Sequence, residues 1–385
     1  MHLPNYKNGS IVNLMSSILK AYGEDPTYRP LKNLDVEALK RSTNIILFVI
    51  DGLGYEFLMQ HGKNSVLNKY PKQKVTSVFP STTATAITTF ATGLAPQQHA
   101  ITGWFMHLKE MGSVVKILPF TPRQSDRAPG FTDTSMQSIL ECDPVSSMIR
   151  ADNFFFFPHY LHGSAYTRAT SRGAEMIAYD SLSDCLANIA KTVKDNRRKK
   201  FLYVYWPELD TICHSFGVGS PEASTHFKEL ERNIDKLIRA LKGSRTTMLV
   251  TSDHGLIDTE PEDFINLNEH PDLAATLTLP LCGEPRVAYC YVHPSRVRRF
   301  REYVSAKLSR FCTLHSSQGL VRKNFFGLHQ PNAKLLDRVG DYVLIMKNKY
   351  IIKDFILGET EHFLKANHGG VSREEMHVPL INVSC

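Results

Sequence analysis

Three continuous apolar runs, each closing on acidic residues, constrain the fold of this chain more than any other sequence feature. They are NIILFVIDGLG at 44–54, FLYVYWP at 201–207 and TTMLVTSDHG at 246–255. Apolar runs without alternation are typical of parallel strands that are covered on both faces. The segments 181–193 and 222–242 have the apolar spacing of helices. This alternation predicts an α/β protein with a mainly parallel central sheet and helices on both faces.

The length of the chain sets its domain organisation. With 385 residues and 42% hydrophobic content, it can bury a large core. We predict a single domain over residues 1–385, with loop-rich insertions at approximately 105–180 and 260–360 that form a smaller cap. A further strand is expected at 75–80, and the phenylalanine run 154–157 is expected to pack in a core.

The composition narrows the class of partner. The net charge is +7, with scattered basic residues, so a nucleic acid is not the expected partner. A more specific interpretation of the positive net charge is a site that attracts anions such as phosphates. No apolar run approaches the ~18 residues of a membrane span. The seven cysteines are odd in number and contain no CxxC pair, which predicts reduced thiols and a cytoplasmic location. The oligomeric state is not predicted.

Acidic and histidine side chains recur where the apolar strands end. In open α/β sheets the carboxyl ends of the strands form the ligand-binding edge, so these side chains are expected to converge there. Each alone has a plain explanation as a turn or surface residue, but their recurrence at three strand ends favours a site. Such oxygen and nitrogen ligands suit zinc, and they also accept manganese or iron. The candidate ligands are Asp51, Asp210, His214, Asp253, His254 and His368.

A cluster of hydroxyls follows the strand expected at 75–80, in FPSTTATAITTFATG at 79–93. Ser81, Thr82 and Thr83 stand together before a predicted helix that begins near Thr83. The cluster is either a threonine-rich helix start or the place of a nucleophile, and the residues alone leave this open.

The order of these motifs resembles a known family. Five motifs follow one another in the order that is typical of the alkaline phosphatase superfamily: Asp-Gly after a strand, FPSTT before Thr92-Gly93, D-x-x-x-H, SDHG and HGG. The most similar branch of that superfamily is the type I phosphodiesterase/nucleotide pyrophosphatase family. The resemblance runs from about residue 44 to 383. It implies an alkaline-phosphatase-like catalytic domain in which Thr83 is the nucleophile and Ser81 and Thr82 are supporting hydroxyls. It also implies two metal ions, one held by Asp51, Thr83, Asp253 and His254 and the other by Asp210, His214 and His368.

The resemblance further implies a reaction. The expected activity is metal-dependent hydrolysis of phosphodiester or pyrophosphate bonds in a small nucleotide-like substrate, through a phospho-threonine intermediate. Two divalent ions, with zinc as the first choice, would stabilise the alkoxide and clamp the apical oxygens of the displacement. One departure affects the substrate class, because HAITGWF at 99–105 carries Ala100 and Trp104 where nucleotide-cleaving relatives often have HGI and a nearby Asn.

Two alternatives therefore stay open. The first is a phosphomonoesterase or phosphotransferase of the same superfamily, and the missing Asn is the observation that supports it. The second is an inactive protein that binds anions or nucleic acid, supported only by the net charge of +7.

Overall fold

A computed structural model describes residues 1–63, 65–125 and 133–385. Residues 126–132 of the first predicted insertion lie outside this description. The strands are β1 Asn44–Ile50, β2 Lys72–Thr76, β3 Phe105–Leu108, β4 Ser113–Lys116, β5 Thr121–Pro122, β6 Asp152–Pro158, β7 Glu175–Tyr179, β8 Lys200–Trp206, β9 Thr246–Thr251, β10 Ile257–Asp258, β11 Phe264–Asn266, β12 Cys282–Glu284, β13 Val287–Cys290, β14 Cys312–Ser316, β15 Tyr342–Met346, β16 Ile351–Lys353, β17 Ala366–Asn367 and β18 His377–Ser384.

The helices alternate with the strands over much of the chain. They are α1 Ile11–Ala21, α2 Val36–Arg41, α3 Tyr55–His61, α4 Thr83–Thr92, α5 Pro96–His99, α6 Asp133–Leu140, α7 Val145–Met148, α8 His159–His162, α9 Ala165–Thr170, α10 Leu182–Asp195, α11 Glu208–Phe216, α12 Pro221–Ala240, α13 Pro271–Ala274, α14 Val297–Tyr303, α15 Ser317–Arg322, α16 Leu335–Arg338 and α17 Arg373–Met376. No helix of the described residues combines the length and the apolar character needed to cross a membrane.

A seven-stranded central sheet has the order β2-β18-β9-β1-β8-β6-β7. Strands β9, β1, β8, β6 and β7 are parallel, whereas β18 is antiparallel to both of its neighbours. The mainly parallel central sheet is therefore confirmed.

Helices cover both faces of this sheet. Alternate residues of β1 divide between two cores, with Leu47 in the core packed by α1 and α4 and Phe48 in the core packed by α10 and α12. All seven residues of β1 and of β8 are buried. This burial on both faces explains why neither strand shows polar alternation.

A second seven-stranded sheet, with the order β14-β15-β13-β12-β3-β4-β5, is antiparallel throughout. We call it the cap sheet. It combines strands from both predicted insertions, and it brings Glu284 at the end of β12 next to the chain around Trp104.

Two local expectations differ from the structure. Residues 154–157 belong to β6 in the middle of the central sheet, so this part of the predicted 105–180 insertion is a core strand. The expected core packing of the run is confirmed, since Phe155, Phe156 and Phe157 are buried. That the run is a strand does not follow from the periodicity of four apolar residues alone. The strand predicted at 75–80 is β2 at Lys72–Thr76, because the following residues leave the sheet to form the loop before α4. The division into one domain with insertions stays a prediction.

Candidate metal centre and nucleophile

Asp51 lies directly after β1, at the carboxyl edge of the central sheet. Its backbone N–H donates to the Trp206 carbonyl at 2.9 Å, which extends the pairing of β1 with β8. Its buried side chain accepts a hydrogen bond from the Tyr205 hydroxyl at Oδ2. Burial, together with the nearby Asp253 and Asp210 carboxylates, raises the pKa of Asp51. A bound cation would remove this penalty on the ionised form.

Asp253 and His254 follow β9 and face Asp51. The Nε2 atom of His254 lies 3.4 Å from Asp51 Oδ1 and 3.3 Å from Asp253 Oδ2. Asp253 Oδ1 accepts hydrogen bonds from the backbone N–H of Gly52 and of His254. These bonds orient the other oxygen of Asp253 toward the imidazole, so the three side chains converge on one point.

Asp210 and His214 lie one turn apart on α11, with His214 Nε2 3.2 Å from Asp210 Oδ2. His368 Nε2 lies 4.0 Å from the other oxygen of Asp210. Burial disfavours the charged form of Asp210, but His214, His368 and His254 outweigh it and lower the pKa of the carboxyl. Asp210 in turn raises the pKa of His214 to about 9 against the effect of burial. Burial and the neighbouring His254 keep the pKa of His368 well below its usual value.

The two groups of side chains meet at His254. Its ring stacks on His368 with centroids 3.9 Å apart. Ligand atoms of Asp51, Asp253 and His254 lie within 4.8 Å of one another, and so do those of Asp210, His254 and His368. The structure thus brings the predicted ligands together, with His254 between the two groups and His214 attached to the second through Asp210. The assignment of each residue to one ion stays a prediction.

Three buried carboxylate oxygens test whether a metal suits this centre. Within the described residues, Asp51 Oδ1, Asp210 Oδ1 and Asp253 Oδ2 have no hydrogen-bond partner. Unpartnered buried carboxylate oxygens are costly, whereas carboxylates and imidazoles are ordinary ligands of divalent transition metals. The donor set therefore fits divalent ions.

The three adjacent hydroxyls have different partners. Ser81 Oγ donates to the Gly370 carbonyl at 2.8 Å, and Thr82 Oγ1 donates to Glu284 Oε1 at 2.7 Å. Thr83 Oγ1, at the first position of α4, lies 3.0 Å from His254 Nε2. Thr83 alone of these three faces the carboxylate and imidazole centre. Because the Thr82 side chain is engaged by Glu284, it does not cap the first N–H groups of α4.

Glu284 was not singled out from the sequence. Its Oε1 accepts from the Trp104 backbone N–H at 2.7 Å as well as from Thr82. Burial raises the pKa of this carboxyl to about 7, although the Thr82 and Trp104 hydrogen bonds oppose the shift. No sequence signal places Glu284 here, because its partners are 202 and 180 residues away.

Glycines allow two close approaches at the centre. Gly52 has φ +75°, and a Cβ there would lie 3.0 Å from the Asp210 Cα atom. Gly369 has φ +105°, and a Cβ there would lie 2.8 Å from the Glu284 Cβ atom. Any larger residue at either position would push Asp210 or Glu284 out of place.

A cavity of about 730 Å³ opens over the centre. Thr83, Asp210, His214 and His368 form part of its floor, and Trp104 and Phe355 line its walls. Besides three histidines, of which His214 is the one with a raised pKa, three basic and four acidic residues line it: Lys116, Arg123 and Lys353, and Asp210, Glu284, Asp354 and Glu359. The buried Arg123 is held by Asp354 and Glu359, each at 2.8 Å. The protein side chains alone therefore give this cavity no excess of positive charge for a phosphate.

The fold resembles those of several solved structures. Murine ectonucleotide pyrophosphatase/phosphodiesterase 5 matches with a TM-score of 0.67 at 18% identity, over 87% of each chain. An inactive form of the same murine protein was solved in complex with AMP. Phosphonoacetate hydrolase from Sinorhizobium meliloti 1021, in complex with phosphonoformate, matches with a TM-score of 0.64 at 17% identity, over 89% of this chain and 90% of the other.

Sequence comparison gives one curated relative and a family. An uncharacterised pyrophosphatase/phosphodiesterase of Schizosaccharomyces pombe is 32% identical over 85 residues, which is 21% of this chain and only 18% of that protein. The family model for type I phosphodiesterases/nucleotide pyrophosphatases matches residues 45–370. This match covers most of the chain, including β1, the α4 hydroxyls and the HGG loop. The chain belongs to the type I phosphodiesterase/nucleotide pyrophosphatase family.

Proposed function

We propose that this protein is a metal-dependent hydrolase that cleaves phosphodiester or pyrophosphate bonds of small nucleotide-like substrates. The observation that carries the proposal is the position of the Thr83 hydroxyl, 3.0 Å from His254 Nε2 and beside two groups of potential metal ligands. The family match supports the reaction class.

Two divalent ions are proposed as cofactors, zinc first, with manganese or iron as alternatives. Asp51, Thr83, Asp253 and His254 would hold one ion, and Asp210, His214 and His368 the other. When bound, such ions lower the pKa of a coordinated hydroxyl and neutralise phosphoryl oxygens. That contribution is needed here, because the cavity side chains alone give no excess of positive charge.

The chain itself supplies the nucleophile. Thr83 Oγ, having lost its proton to solvent, forms a bond to phosphorus while the bond to the leaving oxygen breaks. Water then cleaves the phospho-threonine bond, which releases the phosphoryl product and restores the hydroxyl. The first N–H groups of α4 lie at the same place, and uncapped N–H groups at a helix start favour negative charge.

The proposed substrate class is a small nucleotide-like ester or anhydride. A cavity of about 730 Å³ lies within the range of small-molecule sites, and Trp104 and Phe355 offer aromatic walls. The AMP complex of a structural neighbour is consistent with this class. The observation that favours a phosphomonoesterase or phosphotransferase instead is Trp104, which stands near the place where the family often has Asn.

Chelation and reconstitution test the proposal. The purified protein is analysed for bound metals, and chelated and metal-restored forms are assayed on bis-p-nitrophenyl phosphate and p-nitrophenyl phosphate in parallel. The expected result is about two ions per chain and chelator-sensitive cleavage that is faster for the diester. A faster monoester would favour the alternative, and inactivity after zinc or manganese is restored would favour the inactive anion- or nucleic-acid-binding protein.

A cytoplasmic location is also proposed. It is supported by the seven cysteines, all of which are unpaired. Fractionation of cells with an antibody to the protein tests it, and recovery in a secreted or membrane fraction would contradict it.

A further inference from the structure

Glu284 lies between the loop that precedes α4 and the loop that contains His368. Its Oε1 accepts from Thr82, the residue before the nucleophile, at 2.7 Å. Its side chain also lies against Gly369, the residue after His368, where no Cβ can be accommodated. Glu284 therefore lies beside the residue that precedes the proposed nucleophile and beside the residue that follows a predicted metal ligand.

The second carboxyl oxygen of Glu284 accepts no hydrogen bond from the described residues. Both hydrogen bonds that the described residues give Glu284 fall on Oε1, and the residue lines the cavity over the centre. No basic side chain forms an ion pair with this carboxylate in the part of the chain that the structure describes. Asp354 and Glu359 in the same cavity differ from Glu284, because both bind Arg123.

We propose that Glu284 is a specificity-determining residue that disfavours phosphomonoesters and makes phosphodiesters and phosphoanhydrides the substrate class of this site. The inference rests on the proposed function. A monoester carries a second negative charge on its phosphoryl oxygens above pH ~6, whereas a diester carries one. In a partly dehydrated cavity, a nearby carboxylate repels the doubly charged group more strongly.

The contact between Glu284 and Trp104 also bears on the absence of the Asn that relatives often carry near this position. In this chain the backbone N–H of Trp104 is bound to Glu284 rather than free for a substrate oxygen. The site loses one contact that would serve any phosphate ester, and it gains a bias against the more highly charged ones.

The test compares Glu284→Gln with the wild type at pH 8.5, where the carboxyl is ionised. Glutamine keeps an oxygen acceptor for Thr82 and Trp104 and removes the charge, while an NH2 group takes the place of the second oxygen. The ratio of kcat/KM for bis-p-nitrophenyl phosphate to that for p-nitrophenyl phosphate is expected to fall at least about tenfold, which corresponds to ~1.4 kcal/mol. Glu284→Asp keeps the charge and is expected to retain the diester preference. Glu361→Gln, an exposed carboxylate outside the cavity, is the matched control.

A binding measurement separates this inference from the proposed function. The affinity of the metal-loaded protein for inorganic phosphate, measured by calorimetry, is expected to rise about tenfold in Glu284→Gln. If Glu284→Gln does not fold, Glu284→Ala removes the same charge and is judged by the same two readouts. A substrate ratio and a phosphate affinity that both stay within about twofold of wild type would overturn the inference. Inactivity of the wild type on both substrates would instead refute the proposed function, and the phosphate affinity alone would then decide the role of Glu284.

Discussion

Thr83 Oγ1 and His254 Nε2 lie 3.0 Å apart, although 171 residues separate them in the sequence. The contact joins the start of α4 to the end of β9, so the proposed nucleophile sits at the point where both groups of potential ligands meet. This arrangement makes Thr83 the residue whose removal should affect the reaction most.

Thr83→Ala is expected to lower kcat by at least about 10³-fold while the fold is retained, because no other hydroxyl of the cluster faces the centre. Thr83→Ser should keep a measurable part of the activity. Thr82→Val is the matched control, since it removes the neighbouring hydroxyl and should cost far less. Steady-state kinetics with parallel metal analysis decides the matter, and full activity of Thr83→Ala with unchanged metal content would rule out the nucleophile assignment.

Metal binding should release a proton from His214. Asp210 raises the pKa of His214 to about 9, so the imidazole of the metal-free protein is charged at pH 7.5 and must lose its proton to bind an ion. Calorimetric titration with zinc in buffers of different ionisation enthalpy should show this release at pH 7.5 and its loss above pH ~10. The variant His214→Gln should not release this proton when zinc binds. Equal release by the variant and the wild type would show that His214 is not the source.

The ion pair between Asp210 and His214 should make the stability of the metal-free protein fall at alkaline pH. The folded-state pKa of His214 lies above its unfolded value near 6.5, so its contribution to the free energy of unfolding is complete below pH 6.5 and is lost as the pH rises through 9. The expected loss is about 3 kcal/mol. Urea unfolding of the metal-free protein at pH 6 and pH 10 measures it, and His214→Gln should show a smaller difference between the two pH values.

Tyr205 is expected to position Asp51 for metal binding. Its hydroxyl donates to Asp51 Oδ2, which leaves Oδ1 to face His254. Tyr205→Phe should weaken zinc binding about 10- to 100-fold, because partners of metal ligands fix their orientation. Tyr203→Phe is the matched control, since the buried Tyr203 hydroxyl has no hydrogen-bond partner within the described residues. Competition with a chromogenic chelator measures both affinities, and equal affinities of the two variants would contradict a positioning role.

A buried ion pair connects the cap sheet to the loop after His368. Arg286 binds Glu375 through Nε and Nη2 at 3.0 and 2.9 Å, and Glu375 also accepts from the backbone N–H of Gly370 at 2.7 Å. Arg286→Met should therefore lower the free energy of unfolding by about 3–5 kcal/mol, because it leaves a buried carboxylate without its cation. Denaturant unfolding measures the change.

The double variant Arg286→Met/Glu375→Leu is the informative comparison for this pair. Replacing both partners should recover part of the lost stability but not all of it, because the Gly370 N–H would then lose its acceptor. A single-variant loss below about 1 kcal/mol would show that the ion pair does not hold this loop in place.

The sequence by itself determined the architecture of the central sheet and the set of candidate ligands. Apolar runs such as β1 must be covered on both faces, and parallel strands end at one edge, so Asp51 and Asp253 had to lie near each other. The resemblance to a family then singled out Thr83 among three hydroxyls, and the structure places Thr83, not Ser81 or Thr82, against His254.

Only the tertiary structure decided what surrounds these ligands. The phenylalanine run at 154–157 is a central strand, because pairing with β7 and β8 gives it neighbours that its periodicity does not reveal. Glu284 contacts Thr82 and Trp104, which are 202 and 180 residues away in the sequence, and no local sequence pattern predicts these contacts. The cap sheet assembles from two distant segments, so the walls of the cavity and the position of Glu284 depend on packing between parts of the chain that are far apart in the sequence.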